Sequence, residues 1–343
     1  MDLSTTYMGL RLRSPLVASA GPLTGRIDSL RALQDAGVAA VVLPSLFEEQ
    51  IVHDELSTTQ LFDMGDGANP EATSYFPDLP RFETIADRYV RHVEDARRAL
   101  SIPVIASLNG VTPGGWSRYA RLLQDAGAEA LELNFYHVPA DVHISAAQVE
   151  SERLELVRMV EGVLTVPLAV KVGPHYSAFA NFAARLVDAG ADAIVLFNRF
   201  YQPDVSPDTR VVTPLLELST PADLRLPLRW IGLLSGRLRV DLAATSGIHS
   251  GIDAAKAILA GATVTMMTSA LLRNGPDHVG VVERELVAWA REHDYESIDQ
   301  LRGSASQRHV ADPAEFERAN HIDKLVDYSN TFASAQGQGQ GPW

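Results

Sequence analysis

Four segments of this chain repeat one pattern, and the repeat limits the fold more tightly than any other feature. They read Asp35-Ala-Gly-Val-Ala-Ala-Val-Val-Leu43, Asp125-Ala-Gly-Ala-Glu-Ala-Leu-Glu-Leu133, Asp188-Ala-Gly-Ala-Asp-Ala-Ile-Val-Leu196 and Leu259-Ala-Gly-Ala-Thr-Val-Thr-Met-Met267. In each, a helix end meets a glycine able to take the left-handed conformation that closes the last carbonyls, and a short β-rich run follows. Those runs are apolar enough to be buried on both faces, as strands of a parallel sheet are. Four more apolar runs alternate with them: Ser14-Pro-Leu-Val-Ala-Ser19, Ile102-Pro-Val-Ile-Ala-Ser107, Val166-Pro-Leu-Ala-Val-Lys171 and Val240-Asp-Leu-Ala-Ala-Thr245. Most are followed by helix-like segments with apolar residues three and four apart, such as Trp116 to Ala126 and Phe179 to Ala189. Eight strands alternating with helices predict an α/β chain folded as a (β/α)8 barrel. A doubly wound sheet uses the same units but usually opens on a Gly-rich phosphate turn, and Ala20-Gly21-Pro22-Leu23-Thr24-Gly25 is no such fingerprint.

Three departures from a minimal barrel are expected. The connection from Pro44 to Ser101, after strand two, carries the acidic Asp63-Met-Gly-Asp-Gly-Ala-Asn-Pro70 and one helix near Glu83 to Leu100, and reads as an active-site cover. A Pro-rich insertion from Arg199 to about Asp223 follows strand six. The chain then divides into a barrel over 1–303, a helical extension over 304–334 with its helix from Pro313 to Tyr328, and a disordered Gly/Gln tail over 335–343.

Composition excludes several classes of function. With 46% hydrophobic and 21% charged residues the chain can build a large core, which rules out disorder throughout. A net charge of −14 without a clustered basic stripe repels phosphodiester backbones, so nucleic acid is not an expected partner. The absence of cysteine removes disulfides, thiolate metal sites and a cysteine nucleophile. Neither a secretory signal nor a bilayer-long apolar stretch is evident, which predicts a cytoplasmic protein with no membrane partner.

Reacting groups in such barrels come from the carboxyl ends of the strands. In order these ends carry Ala18-Ser19-Ala20-Gly21, Ser107-Leu-Asn109, Asn134-Phe-Tyr136-His137, Lys171, Asn198-Arg199, Thr245-Ser246-Gly247 and Thr268-Ser269. Ser246-Gly247 and Thr268-Ser269 follow strands seven and eight, where backbone N–H groups commonly gather around a phosphate; the alternative is that they only build turns. Lys171 ends an otherwise apolar strand and either snorkels to solvent or fixes a positive charge in the barrel mouth. Asn109, Asn134 and Asn198 can donate and accept together, as recognition of a heteroaromatic ring or an amide requires, or can cap helices. His137 is either an exposed loop residue or a proton acceptor active at neutral pH. No histidines have the spacing of a helical metal site, and no metal is expected.

Taken together these residues resemble the dihydroorotate dehydrogenase family of flavoproteins, in its soluble class. The likeness runs from Leu3 to about Gly303, through Ser14-Pro-Leu-Val-Ala-Ser-Ala-Gly21, Glu132-Leu-Asn134, Val170-Lys171-Val172, Ser246-Gly-Ile-His-Ser-Gly251 and Ala260-Gly-Ala-Thr-Val-Thr-Met-Met-Thr-Ser-Ala270. The resemblance implies FMN as cofactor, with its phosphate at Ser246, Gly247, Thr268 and Ser269 and Lys171 beside the N1 and C2 carbonyl of the ring. It also implies backbone of Ala18, Ser19 and Gly21 close to the ring, and Asn109, Asn134 and Asn198 lining flavin and substrate. The implied reaction is oxidation of dihydroorotate to orotate in pyrimidine biosynthesis, or of another small ring, followed by reoxidation by an unknown acceptor, in a homodimer. The chain departs from the family on the substrate side. It has Leu43-Pro44-Ser45 where the soluble class has a lysine, Ala72-Thr-Ser-Tyr-Phe-Pro-Asp78 at the substrate motif, and His137 or Tyr136 where the catalytic cysteine stands. A flavin-free barrel acting on a sugar phosphate and a flavin-binding regulatory protein without turnover are the two alternatives.

Overall fold

The computed structural model describes residues 1–51, 84–110, 115–199 and 202–317. The motifs at 63–70 and 72–78 lie outside these residues, as do the tail and everything else after 317. Eight parallel strands close a barrel: β3 (Leu16–Ala18), β4 (Ala40–Phe47), β5 (Val104–Asn109), β6 (Ala130–Asn134), β7 (Leu168–Val172), β8 (Ala193–Leu196), β11 (Asp241–Thr245) and β12 (Val264–Met267), with β12 pairing back onto β3. All eight expected strands are present. Helices Ile85–Ala99 (α2), Trp116–Asp125 (α3), Ala146–Glu161 (α4) and Phe179–Asp188 (α5) follow within the outer layer. Ile27–Ala36 (α1) connects β3 to β4 and ends on Gly37 at φ 104, the left-handed closure that the repeat anticipates.

Each barrel strand has two buried faces but two different environments. Outward residues such as Leu131, Leu133, Val170 and Leu196 join the core shared with the helices, whereas Ala130, Ala169, Ala193 and Ala243 face a separate cluster inside the barrel. The alanines leave the lower interior wide, and a feature absent from the sequence reading fills it. Strands β1 (Thr5–Tyr7) and β2 (Leu10–Leu12) form a hairpin turning through Met8 and Gly9, both at positive φ, which matches the twist of the paired strands. This hairpin carries Tyr7, fully buried, into the interior cluster from the amino-terminal end.

The insertion after β8 contains an antiparallel hairpin, β9 (Gln202–Val205) with β10 (Val212–Leu215), and a 3₁₀ turn over Pro221–Leu224. Of the stretch from Pro313 to Tyr328 expected to be helical, the described part is a 3₁₀ turn over Pro313–Phe316, and the remainder lies outside the described residues. Asp312 caps the turn through Ala314 N–H, and the Phe316 ring lies against Gly232 of α6 (Arg225–Leu234), which packs the turn on the barrel.

Candidate active site

Alternation along the strands sorts the polar residues. On β6 the inner face reads Ala130, Glu132, Asn134; on β5 it reads Ile105, Ser107, Asn109; on β7 it reads Ala169, Lys171. The lower interior is therefore apolar and the layer toward the carboxyl ends is polar. Lys171 is buried and reaches across the barrel, its Nζ 3.4 Å from Ser19 Oγ beyond β3 and 3.7 Å from Glu132 Oε1. Lys171 is thus directed into the barrel and does not snorkel to solvent.

Strand β4 shows how one residue changes a site. Ala40 and Val42 face inward, so strict alternation would turn Pro44 inward too. The β4–β5 register shifts between Val42 and Ser45, at a proline that has no N–H for the ladder. Ser45 is thereby brought opposite Ser107, with Oγ atoms 2.7 Å apart, and accepts from Asn134 Nδ2 at 3.3 Å. Tyr89 of α2 closes this network from outside: its hydroxyl donates to Ser107 O at 3.1 Å and accepts from Ser107 N–H at 3.0 Å. Burial, the largest cause, raises the Tyr89 pKa, so the phenol stays protonated. Asn109 Nδ2 and Asn134 Oδ1 are buried with no hydrogen-bond partner among the described residues. A donor and an acceptor thus stand unsatisfied on neighbouring strands, the inventory that an amide edge of a ligand would complete.

Asn198 is buried just past β8, but its Nδ2 donates to Phe135 O at 3.0 Å, so it braces the loop after β6. That loop carries Tyr136, partly buried, and His137, exposed. Partial desolvation and then the Arg153 guanidinium hold the His137 pKa below its ordinary 6.5, against opposing pulls from Glu152 and Glu49. Arg153, buried on α4, lies 5.5 Å over the Phe135 ring. Ala18 faces the outer core, so only its backbone is available to the mouth.

At the other end Ser246 and Gly247 both have positive φ, 74° and 79°. Gly247 N–H donates to Ser219 Oγ at 3.3 Å, Ser219 N–H donates to Ser269 Oγ at 3.0 Å, and Ser219 Oγ lies 3.2 Å from His249 Nε2. Ser219 therefore ties the loop after β11 to the start of the short helix over Ser269–Asn274. Thr268 Oγ1 donates to Ser19 O at 3.4 Å, and a Cβ on Gly21 would come 2.6 Å from Thr268 Cγ2. The first and last barrel strands thus approach closely where a phosphate was expected.

The family model for dihydroorotate dehydrogenase matches residues 82–289, more than half of the chain. The chain belongs to the dihydroorotate dehydrogenase family. Similar relatives include the catalytic subunit of dihydroorotate dehydrogenase B (NAD(+)) from Methanothermobacter thermautotrophicus, 24% identical over 88% of this chain and 98% of the relative. The like-named subunit from Methanosarcina mazei is 26% identical over 89% of this chain and 96% of its own length. The NAD-dependent dihydropyrimidine dehydrogenase subunit PreA of Escherichia coli K12 is 24% identical over 98% of this chain and 86% of its own. Enzymes of the dihydroorotate dehydrogenase family are flavoproteins. No helix among the described residues is long and apolar enough to cross a membrane.

Against that family pattern, the sequence reading missed Glu132 as a site residue, the Ser45–Ser107–Tyr89 network, Arg153, and the Ser219–His249 pair. Glu132 carried a usable signal, since it alternates with Ala130 and Asn134 on one strand face. Ser219 carried none, because its partners lie 28 to 50 residues away.

Proposed function

We propose that this chain is an FMN-dependent oxidoreductase acting on the CH–CH bond of a dihydropyrimidine ring, with dihydroorotate the first substrate to test. The observation that carries the reading is the polar upper layer of the barrel: the buried Lys171 amine beside Ser19 and two buried amide atoms, Asn109 Nδ2 and Asn134 Oδ1, without partners among the described residues. Buried polar groups without partners cost about 1–3 kcal/mol each, so their retention points to a ligand that completes them. The residues present fit FMN. Backbone and hydroxyls of Ser246, Gly247, Thr268 and Ser269 would hold its phosphate, Ala18, Ser19 and Gly21 would lie along its ring, and Lys171 would supply the compensating cation. When bound, FMN supplies a two-electron hydride acceptor.

The chain's own residues do the rest. A ring nitrogen of His137, kept neutral at pH 7 by its lowered pKa, takes the proton that leaves the substrate carbon, with Tyr136 the other candidate for that role. Asn109 and Asn134 orient the ring through its amide groups, and Asn198 fixes the loop that carries the base. Ser45, where the soluble class has a lysine, is engaged with Ser107 and Asn134 and offers no positive charge to a substrate carboxylate. This favours a neutral dihydropyrimidine as the second substrate class, in keeping with the similarity to a dihydropyrimidine dehydrogenase subunit. Since relatives are named as subunits, a partner protein that passes electrons to NAD⁺ is part of the proposal.

The test is a visible spectrum of the purified protein followed by anaerobic addition of dihydroorotate and then dihydrouracil. Flavin absorption that bleaches with either compound is the expected result. A colourless protein that fails to take up added FMN would refute the cofactor, and bound FMN that neither compound bleaches would refute the substrate class.

A further inference from the structure

Glu132 is the least expected residue in the barrel. It sits on the inner face of β6, its side chain is 1% exposed, and neither carboxylate oxygen has a hydrogen-bond partner among the described residues. A carboxylate removed from water in this way is costly unless a cation compensates it. Lys171 Nζ lies 3.7 Å from Oε1, beyond hydrogen-bond distance, so the pair interacts through charge alone. The strand register explains the contact: Asn134 pairs with Lys171 and Glu132 with Ala169, which places the carboxylate one inward layer below the lysine. The alanine at 169 leaves that space open. From below comes Tyr7, whose hydroxyl is also buried without a partner among the described residues. Burial, followed by the charges of Glu132 and Asp241, raises the Tyr7 pKa well above its usual value, which keeps the phenol neutral beneath the pair.

The ammonium is therefore suspended between two anchors, Ser19 Oγ above at 3.4 Å and Glu132 below at 3.7 Å. We infer that Glu132 is a positioning residue for Lys171: its carboxylate draws the ammonium down into the barrel and offsets part of its charge, which lowers the pull that Lys171 exerts on electrons entering the bound cofactor. This rests on the FMN reading proposed above. A residue that merely packed the interior would leave the potential of the cofactor alone. A counter-charge acting through Lys171 does not.

The experiment compares FMN-loaded wild type with Glu132→Gln, Glu132→Asp, Lys171→Met and the Glu132→Gln/Lys171→Met double variant by spectroelectrochemical titration. Glu132→Gln is expected to favour the reduced cofactor by about tenfold, a rise of about 30 mV for a two-electron couple. Glu132→Asp, which keeps the charge, should return most of the way to wild type. In the Lys171→Met background the Glu132→Gln shift should fall at least twofold. No shift, or the same shift in both backgrounds, overturns the inference. If FMN is absent from every form, the cofactor reading fails by itself, and the pair is then read by thermal unfolding of the cofactor-free proteins. Glu132→Gln and Lys171→Met each leave one buried charge alone and should lower Tm by roughly 5 °C, with the double variant losing clearly less than the two combined. Additive losses there would refute the pairing.

Discussion

Gly247→Ala isolates the tightest contact at the expected phosphate end. Gly247 has φ 79, and an added Cβ would stand 2.4 Å from Leu224 N and 2.8 Å from Leu224 Cβ. Two costs combine: the left-handed backbone of a non-glycine residue, about 1–2 kcal/mol, and an overpacked methyl against backbone that cannot rotate away, about 1–3 kcal/mol. Together they give about 2–5 kcal/mol, a fall in Tm of roughly 4–10 °C at the shifts usual for domains of a few hundred residues. Gly275→Ala is the control. Its φ of 81 with ψ 172 lies in an extended region essentially reserved for glycine, but nothing among the described residues lies within 4 Å of the added carbon, so it should lose only a backbone cost of about 1–3 kcal/mol, roughly 2–6 °C. Because Leu224 must move, and with it the Ser219 that accepts from Gly247 N–H, Gly247→Ala should also weaken FMN retention while Gly275→Ala should not. The assay is scanning fluorimetry of both variants with and without added FMN. Equal Tm losses, or equal FMN retention, would show that the close approach to Leu224 has no consequence.

Lys171→Ala should slow flavin reduction strongly or abolish FMN retention, as measured by stopped-flow absorbance and by ultrafiltration; wild-type values in both would remove Lys171 from the site. His137→Ala should keep FMN and lose reduction by substrate, whereas normal reduction would leave Tyr136 as the candidate base. Because the His137 pKa is lowered, the neutral base persists to below the ordinary 6.5, and reduction should fall off only on the acid side of that value. Arg153→Gln removes one of the causes, so the acid limb should move to higher pH; an unmoved limb in a pH–rate profile contradicts the assignment. Tyr89→Phe strands the buried N–H and C=O of Ser107 and should cost on the order of 2 kcal/mol in thermal unfolding, with no loss refuting the network.

The barrel was legible because its signal is repeated. Each Ala-Gly element pairs a helix stop with a doubly buried strand, and the eight runs had only one closed arrangement to enter. The hairpin before them was not legible. Its strands are three residues long, and their purpose becomes visible only once five strands are seen to turn alanines inward, at Ala40, Ala130, Ala169, Ala193 and Ala243, leaving a space that Tyr7 occupies. In the site, Ser19, Asn109, Asn134 and Lys171 were readable as strand-end residues and converge in the mouth. Ser45 was hidden by the shift at Pro44, which changes which side chain faces inward, and no alternation rule anticipates that reversal. Asn198 was readable as a strand-end residue, but the contact its amide makes with the backbone of Phe135 was not.

The same layering that makes the site readable sets stability against function. Below Glu132 the interior is wholly apolar, with alanines and valines joined by Ile105, Met266, the hairpin residues Met8 and Leu12 and the Tyr7 ring; above it stand buried amides that the described residues leave incomplete. A residue selected for stability alone would be apolar at position 109, because Asn109 Nδ2 is buried against no acceptor. Asn109→Leu conserves most of the volume and removes the unsatisfied donor, so the cofactor-free protein should gain about 1–2 kcal/mol, read as a rise in Tm of roughly 2–4 °C. The same variant should bind FMN more weakly, and the stabilisation that added FMN confers on wild type should shrink, since a ligand stabilises a fold by its affinity for the native state. A variant less stable without cofactor and equal to wild type with it would mean that Asn109 serves the barrel and not the ligand.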